Sequence, residues 1–247
     1  MTEEIRLNSS KLGTQEYWDN FYKKEISNFE ENPEDTGECW FDDSGAESKM
    51  VDFLIDKLND GEIDKVDTLI DLGTGNGHLL FELQEELTER CDNVELVENS
   101  KFLGVDYSED SILFAKKIHE ERDPELPFEF RKVDILSKEE QFFEDNPGYD
   151  IILDKGTLDA IALNQDPISS FDGKIGMEVY PIQVSKLMKS NSILLITSCN
   201  FTEHELVKII TNDKQNDLEV WDKINYPSFK FGGAQGSTIC SIAFKKK

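Results

Sequence analysis

The stretch Leu69-Ile70-Asp71-Leu72-Gly73-Thr74-Gly75-Asn76-Gly77 decides the fold. A short apolar run reads as a buried strand, three alternate glycines read as a tight turn, and the apolar positions after His78 repeat at helical spacing. Glycines in such a turn let the backbone bend sharply and pass close to a ligand where a Cβ would obstruct.

Working outward, apolar runs near 66–72, 102–106, 128–133, 149–154 and 192–199 alternate with helical patterns near 77–90, 108–121, 176–189 and 202–212. This is the texture of βαβ units with a parallel sheet buried on both faces. Thr202-x-x-Glu205 opens the last helix as a capping box. The chain closes on strand-like Leu218 to Tyr226 and Ser237 to Phe244, joined by Pro227 to Gly236 without a helical pattern, which favours an antiparallel final pair. Ahead of this core, Tyr17, Trp18, Phe21, Tyr22 and Phe29 give one sticky helical face, and Ser44-Gly45-Ala46-Glu47 has capping-box spacing before a second helix. Between them lies an irregular acidic stretch, Asn32 to Asp43, holding Trp40 and Phe41. The far end of Glu82 to Lys101 reads as a surface excursion. The expected architecture is a single α/β domain over 1–247. Its parts are an N-terminal helical cover over 1–65 and a doubly wound, mostly parallel Rossmann-like core over 66–247, with the last strand antiparallel.

Composition narrows the function. The 247 residues carry 52 Asp and Glu against 26 Lys and Arg, a formal net charge of -26. Such a field repels a phosphate backbone, so no nucleic-acid partner is expected, and it suits either solubility or a basic protein surface. With 38% hydrophobic residues a wholly disordered chain is excluded. The longest apolar runs, such as Ile193 to Ile196, fall far short of the roughly 20 residues that span a bilayer. Cys39, Cys91, Cys199 and Cys240 lack C-x-x-C spacing and read as buried thiols of a reducing compartment. The opening residues resemble neither a signal nor a transit peptide. A cytoplasmic, monomeric protein is expected.

Asp106 ends the second core strand and is the candidate ribose ligand, although it follows Gly77 by more than the roughly 20 residues usual in a nucleotide fold. Asp154 ends the fourth strand, and ligands of doubly wound folds bind outside the carboxyl ends of strands. Asp154, Lys155 and Thr157 are therefore expected at the rim of a reaction pocket, with Asp154 and Thr157 as catalytic candidates and Asp154 also touching the cofactor. Trp40 is expected to contact the cofactor. With Phe41 it either lids it, lines a channel for a substrate stem, or packs the cover.

Two enzyme classes share this layout: nicotinamide or flavin enzymes, and methyltransferases using S-adenosylmethionine. A dinucleotide site wants G-x-G-x-x-G with a pyrophosphate at the helix N-terminus. Here the third glycine comes one residue early, and Asp71 is a poor neighbour for pyrophosphate and a good one for a cationic amino acid. S-adenosylmethionine carries a sulfonium and an ammonium and no phosphate, so spacing and charge favour it. His78, His119 and His204 are isolated, without metal-ligand spacing, so no metal is expected and surface or helix-cap roles are assigned to them. No G-x-S-x-G elbow, P-loop or kinase set appears. Asn-Pro-Pro-Tyr, familiar from methyltransferases acting on base amino groups, is absent where Asp154-Lys155-Gly156-Thr157 stands.

The glycine string resembles motif I of the seven-stranded class I methyltransferases. Five further segments resemble a narrower family, the eukaryotic protein-lysine methyltransferases acting on translation elongation factor 1-alpha. They are Leu12 to Trp18 (LGTQEYW), Asp35 to Phe41 (DTGECWF), Leu153 to Ala160 (LDKGTLDA), Ile196 to Thr202 (ITSCNFT) and Phe231 to Thr238 (FGGAQGST). The resemblance spans nearly the whole chain, while 85–101 and 164–172 look longer than that family's usual connections. It implies that Asp71, Gly73 and Gly75 border the methionine part of the cofactor and that Asp106 holds the ribose. It places Asp134 beside the adenine amino group, with Ile135 and Tyr107 as apolar contacts to the purine. The implied reaction is methyl transfer to a lysine amine of elongation factor 1-alpha. A small-molecule methyltransferase on the same fold and a nicotinamide-dependent oxidoreductase remain the alternatives.

Overall fold

The computed structural model describes residues 5–93, 95, 97–138, 141–144, 148–212, 216–227, 229–231, 234–236 and 238–247. Two helices come first, α1 (Gln15–Glu31) and α2 (Ala46–Asn59). The core follows as β1 (Thr68–Leu72), α3 (His78–Arg90), β2 (Lys101–Asp106), α4 (Glu109–Arg122), β3 (Phe128–Lys132), β4 (Tyr149–Lys155), α5 (Thr157–Ala162), α6 (Gly176–Lys186), β5 (Met188–Ser198) and α7 (Glu203–Thr211). The chain ends with β6 (Leu218–Ile224), the short pair β7 (Phe229–Phe231) and β8 (Ala234–Gly236), and β9 (Cys240–Lys246).

Seven strands form one sheet in the order β3-β2-β1-β4-β5-β9-β6. Pairing is parallel from β3 to β5, and β9 runs antiparallel to both β5 and β6. The expected doubly wound sheet with an antiparallel last strand is what the chain forms. Both faces are covered, which explains why the strands read as unbroken apolar runs. Leu69, Ile151, Leu153, Ile193 and Leu195 join the core under α1 to α4, while Ile70, Leu72, Ile152, Leu194 and Ile196 join the core under α5 to α7. The period-2 alternation of strands is therefore intact.

Strand order reverses at β1, which lies between β2 and β4. Leu72 stands opposite Val105 on one side and Asp154 on the other, so the carboxyl ends of three strands meet at one edge. That edge is the topological switch point at which such sheets bind ligands.

Several local expectations change. Helix α6 stops at Lys186 and β5 begins at Met188, so residues 188–189 are strand rather than helix. The six-residue helix α5 was not anticipated. Ser44 does not cap α2: the cap position is Gly45 at φ 59° with no side-chain bond, and the Ser44 hydroxyl donates to Phe41 O at 2.8 Å. Glu47 is drawn instead toward His78 and Lys155. The Thr202 and Glu205 capping box forms as expected. The N-terminal helices are built into the domain. Phe29 of α1 packs edge-on to Phe114 of α4 at 5.8 Å, and Ser108 Oγ donates to Asp19 at 2.6 Å.

Candidate active site

A cavity of about 560 Å³ opens at the switch point, lined by the glycine turn, the ends of β2 and β4, and the N-terminal segments. The turn is shaped by close approach. Gly73 has φ 65°, and a Cβ on it would lie 2.1 Å from Thr157 Oγ1; Gly75 has φ 59°, and a Cβ there would lie 2.6 Å from the Tyr22 hydroxyl. Only glycine meets both the left-handed backbone and the lack of space. The turn is thus roofed by Tyr22 of α1 and walled by Thr157 of α5.

Two buried carboxylates line the cavity. Asp71 is 3% exposed and Asp106 6%. Burial pushes Asp71 up to about 7, with the nearby Lys155 ammonium pulling the other way. Burial likewise raises Asp106 to about 6, against the amides of Ser108 and Gly75 that donate to it at 2.9 and 3.2 Å. Both groups therefore sit where a cationic ligand would favour their ionised forms. Ser111 Oγ donates to Gly75 O at 2.8 Å, tying the turn to α4.

Asp154 behaves differently from the sequence expectation. It is fully buried, it is not among the residues lining the cavity, and Tyr180 Oη donates to it at 2.5 Å. The amides of Thr157 and Leu158 also donate to its carboxylate, at 2.8 and 3.1 Å, so it caps α5. The reason is parity: Asp71 pairs with Leu153 and Leu72 with Asp154, so Asp71 and Asp154 project from opposite faces of the sheet. Thr157 and Lys155 do reach the cavity. The Thr157 hydroxyl is committed to Leu72 O at 2.5 Å.

Tyr107, Asp134 and Ile135 line the cavity together beyond Asp106. Asp134 is exposed, and one of its oxygens accepts from Leu136 N at 2.9 Å, the bond of a turn residue after a strand. Trp40 and Phe41 both line the cavity and both pack, Trp40 lying 5.4 Å from Trp18 and 6.3 Å from Phe21 between ring centroids. The Trp40 indole N–H is buried without a partner among the described residues.

Several lining residues carried no sequence signal as ligands: Leu12, Gly13, Gln15, Trp18, Tyr22, Asp159, Cys199, Asn200 and the Asn164 to Ile168 stretch. Cys199 is exposed rather than buried. His78 is half-buried rather than free on the surface; its Nδ1 bonds the buried Glu47 carboxylate. The 164–172 connection contributes a wall through Asn164, Asp166, Pro167 and Ile168. The string Phe231 to Thr238 lies partly outside the described residues.

The two expected cofactors make different demands on these side chains. A pyrophosphate would face Asp71 and Asp106, and Lys155 is the one Lys or Arg among the described lining residues. That lysine is already paired with Glu47 at 3.3 Å. A ligand with fixed positive charge, an aromatic base and ribose hydroxyls fits the carboxylates, the glycine cradle and the apolar walls.

A family model described as a methyltransferase domain matches residues 63–233. The protein-lysine N-methyltransferase EFM4 of Saccharomyces cerevisiae is 47% identical over 98% of this chain and 97% of its own length. The chain belongs to the protein-lysine N-methyltransferase family. Human EEF1A lysine methyltransferase 2 is 32% identical, covering 96% of this chain and 87% of that one. Among solved structures, the [4+2]-cyclase SpnF superposes with TM-score 0.60 at 12% identity, covering 98% and 99% of the two chains. Magnesium protoporphyrin IX methyltransferase from Synechocystis with bound SAM gives 0.53 at 14%, covering 92% and 97%. At these identities they show the fold alone. Family membership and the cavity chemistry point the same way, and the elements that shape the cavity, from Leu12 to Asn200, lie within the span shared with the lysine methyltransferases.

Proposed function

We propose that the protein transfers the sulfonium methyl of S-adenosylmethionine to a lysine amine of translation elongation factor 1-alpha. One observation carries this: a cavity whose buried carboxylates, Asp71 and Asp106, face no free cation among the described residues, in a chain that matches a lysine methyltransferase along nearly its full length. In this proposal Asp71, Gly73 and Gly75 border the methionine end, and Asp106 accepts from the ribose hydroxyls. Tyr107 and Ile135 sandwich the adenine and Asp134 accepts from its amine. Trp40 closes the methionine end.

The bound cofactor supplies the electrophilic methyl group. The chain must present a neutral amine to it. A lysine with pKa near 10.4 costs roughly 4 to 5 kcal/mol to deprotonate at pH 7, at 1.36 kcal/mol per unit. Asp154 is enclosed and Thr157 has donated its hydroxyl, so neither serves as a base at the acceptor. Asp154 acts as a positioning residue that fixes the start of α5 and hence Thr157 against Gly73. Desolvation between Trp40 and Phe41 lowers the acceptor's pKa, and alignment supplies several kcal/mol more. A net charge of -26 suits a basic protein partner.

The test is incubation with methyl-labelled cofactor and purified elongation factor 1-alpha, followed by mass spectrometry of the labelled peptide. Label on a single lysine peptide is expected. Label confined to small amines or acids would favour the small-molecule alternative, and NAD binding in place of S-adenosylmethionine would overturn the assignment.

A further inference from the structure

Three segments meet behind the cavity wall. Glu47, in the first turn of α2, is 7% exposed; one carboxylate oxygen bonds His78 Nδ1 at the start of α3, and the other lies 3.3 Å from Lys155 Nζ at the end of β4. Burial opposes charge on Glu47, yet the His78 bond and the Lys155 ammonium outweigh it and hold the carboxyl below its usual range. Lys155 Nζ also donates to Trp40 O at 3.0 Å. A chain of polar contacts, His78 to Glu47 to Lys155 to Trp40, thus runs from the helix after the glycine turn to the aromatic wall.

Cys39 Sγ lies 3.6 Å from Glu47 Oε2, and Cys39, Glu47 and His78 together offer zinc-type donors. The Lys155 ammonium contacts that same carboxylate oxygen, however, so the cluster is already neutralised without a metal. Its evident product is the fixed position of the Lys155 side chain, whose exposure is only 13%.

What Lys155 holds is a strained turn. Phe41 has φ 68°, a left-handed conformation that a bulky L residue adopts only when its surroundings impose it. Its ring fills the space beside Gly156, where a Cβ would lie 2.6 Å from Phe41 Cε2. Within its own segment the turn is tied by Ser44 Oγ to Phe41 O at 2.8 Å. The bond from Lys155 is the polar contact that ties it to β4, the strand whose end forms the reaction edge.

We propose that Lys155, with Glu47 as its counter-ion, is a positioning residue for methyl transfer: it latches the Trp40 and Phe41 turn into the wall against which the acceptor amine is aligned. The proposal rests on the methyltransferase assignment above. Loss of the latch leaves the Asp71 and Asp106 side chains and the glycine turn in place, so the effect falls more on turnover than on donor affinity. A displacement of about 1 Å at a reacting pair can cost on the order of 100-fold in rate.

The experiment compares Lys155→Met, Lys155→Arg, Glu47→Gln and the Lys155→Met/Glu47→Gln double variant. For each it measures kcat and KM with elongation factor 1-alpha, donor Kd by calorimetry, and amide hydrogen exchange along the chain. Lys155→Met is expected to lower kcat roughly 10- to 100-fold with a much smaller loss of donor affinity, and to speed exchange over residues 38–45 while sparing 15–31. Lys155→Arg, which keeps charge and donors, should recover most of the rate. The double variant should be no worse than Lys155→Met, because both changes cut one link. Unchanged exchange over 38–45, additive losses in the double variant, or a loss of donor affinity equal to the loss of kcat would each overturn the latch. If Lys155→Met does not fold, Glu47→Gln and Lys155→Arg carry the same comparison. Exchange that responds as expected in a protein that methylates no elongation factor would sink the functional assignment and leave the latch standing.

Discussion

Replacing Gly73 by alanine tests the central geometry. The new methyl would lie 2.1 Å from Thr157 Oγ1 and 2.9 Å from its Cγ2, on a backbone at φ 65°. The left-handed conformation alone costs an alanine about 1 to 2 kcal/mol. Relieving the contact requires Thr157 to swing away from Leu72 O, which it bonds at 2.5 Å, leaving a buried carbonyl without its donor for about another 1 to 3 kcal/mol. The expected total is about 2 to 5 kcal/mol, a large part of the roughly 5 to 15 kcal/mol that holds a typical domain folded. Urea unfolding with and without donor reads this directly. The diagnostic background is Thr157→Ala, which removes the two nearest atoms and leaves the Thr157 Cβ position at 3.1 Å. There the cost of Gly73→Ala should shrink to the backbone share of about 1 to 2 kcal/mol. An equal cost in both backgrounds, or a cost under about 1 kcal/mol in the parent chain, would refute the steric account.

Asp106→Ala should weaken donor binding by roughly 10- to 100-fold in calorimetry, the range for losing a hydrogen bond to a charged group; unchanged affinity would remove the ribose assignment. Asp106→Asn, which keeps one acceptor for the Gly75 or Ser108 amide, should fall between the two. Thr202→Ala breaks the capping box of α7, whose residues do not line the cavity. It should lower stability by about 1 kcal/mol with kcat unchanged, and a loss of rate would tie α7 to the site.

The sheet was legible because both of its faces are buried, so its strands announce themselves as apolar runs. The glycine turn was legible because its chemistry is local. What escaped was set at long range. Ser44 and Glu47 have the spacing of a capping box, but a half-buried histidine and lysine outcompete a helix N-terminus for the Glu47 carboxylate. Helix α5 is too short to show a period. The wall formed by Leu12, Gly13 and Asn164 to Ile168 exists only because two distant segments dock: Ser10 N donates to Leu163 O at 3.1 Å, and a Cβ on Gly13 would lie 2.5 Å from the Leu163 backbone. Asp154 stands at a strand end as expected, but its carboxylate is enclosed against Tyr180 rather than set on the pocket rim. Counting parity from Leu153 and Leu72 would have turned it away from Asp71, but that count needs the β1 to β4 register, which no single strand reveals.

Donor binding and pH are linked through the two cavity carboxylates, and the sign is fixed by burial. Asp71 at about 7 and Asp106 at about 6 both lie above the unfolded value near 3.9. Between these values the unliganded fold holds protons that the unfolded chain has released, so stability falls as pH rises. Their contribution is fully present below about pH 4 and is lost as pH rises through 6 to 7. A cationic donor reverses the preference by favouring the ionised carboxylates, so binding releases protons and tightens over the same window. The gap between the melting temperatures of donor-saturated and unliganded protein should therefore widen from about pH 5.5 to about pH 8. Calorimetry in two buffers of different ionisation enthalpy should show proton release near pH 6 that fades by about pH 8. Other carboxyls, such as Glu47 and Asp150, are held below their usual range and pull the absolute stability curve the opposite way. The difference with and without donor cancels them, since their partners lie within the protein in both states. Asp71→Asn should flatten the upper part of that difference, and a gap independent of pH, or proton uptake on binding, would show that these carboxylates do not face the donor's charge.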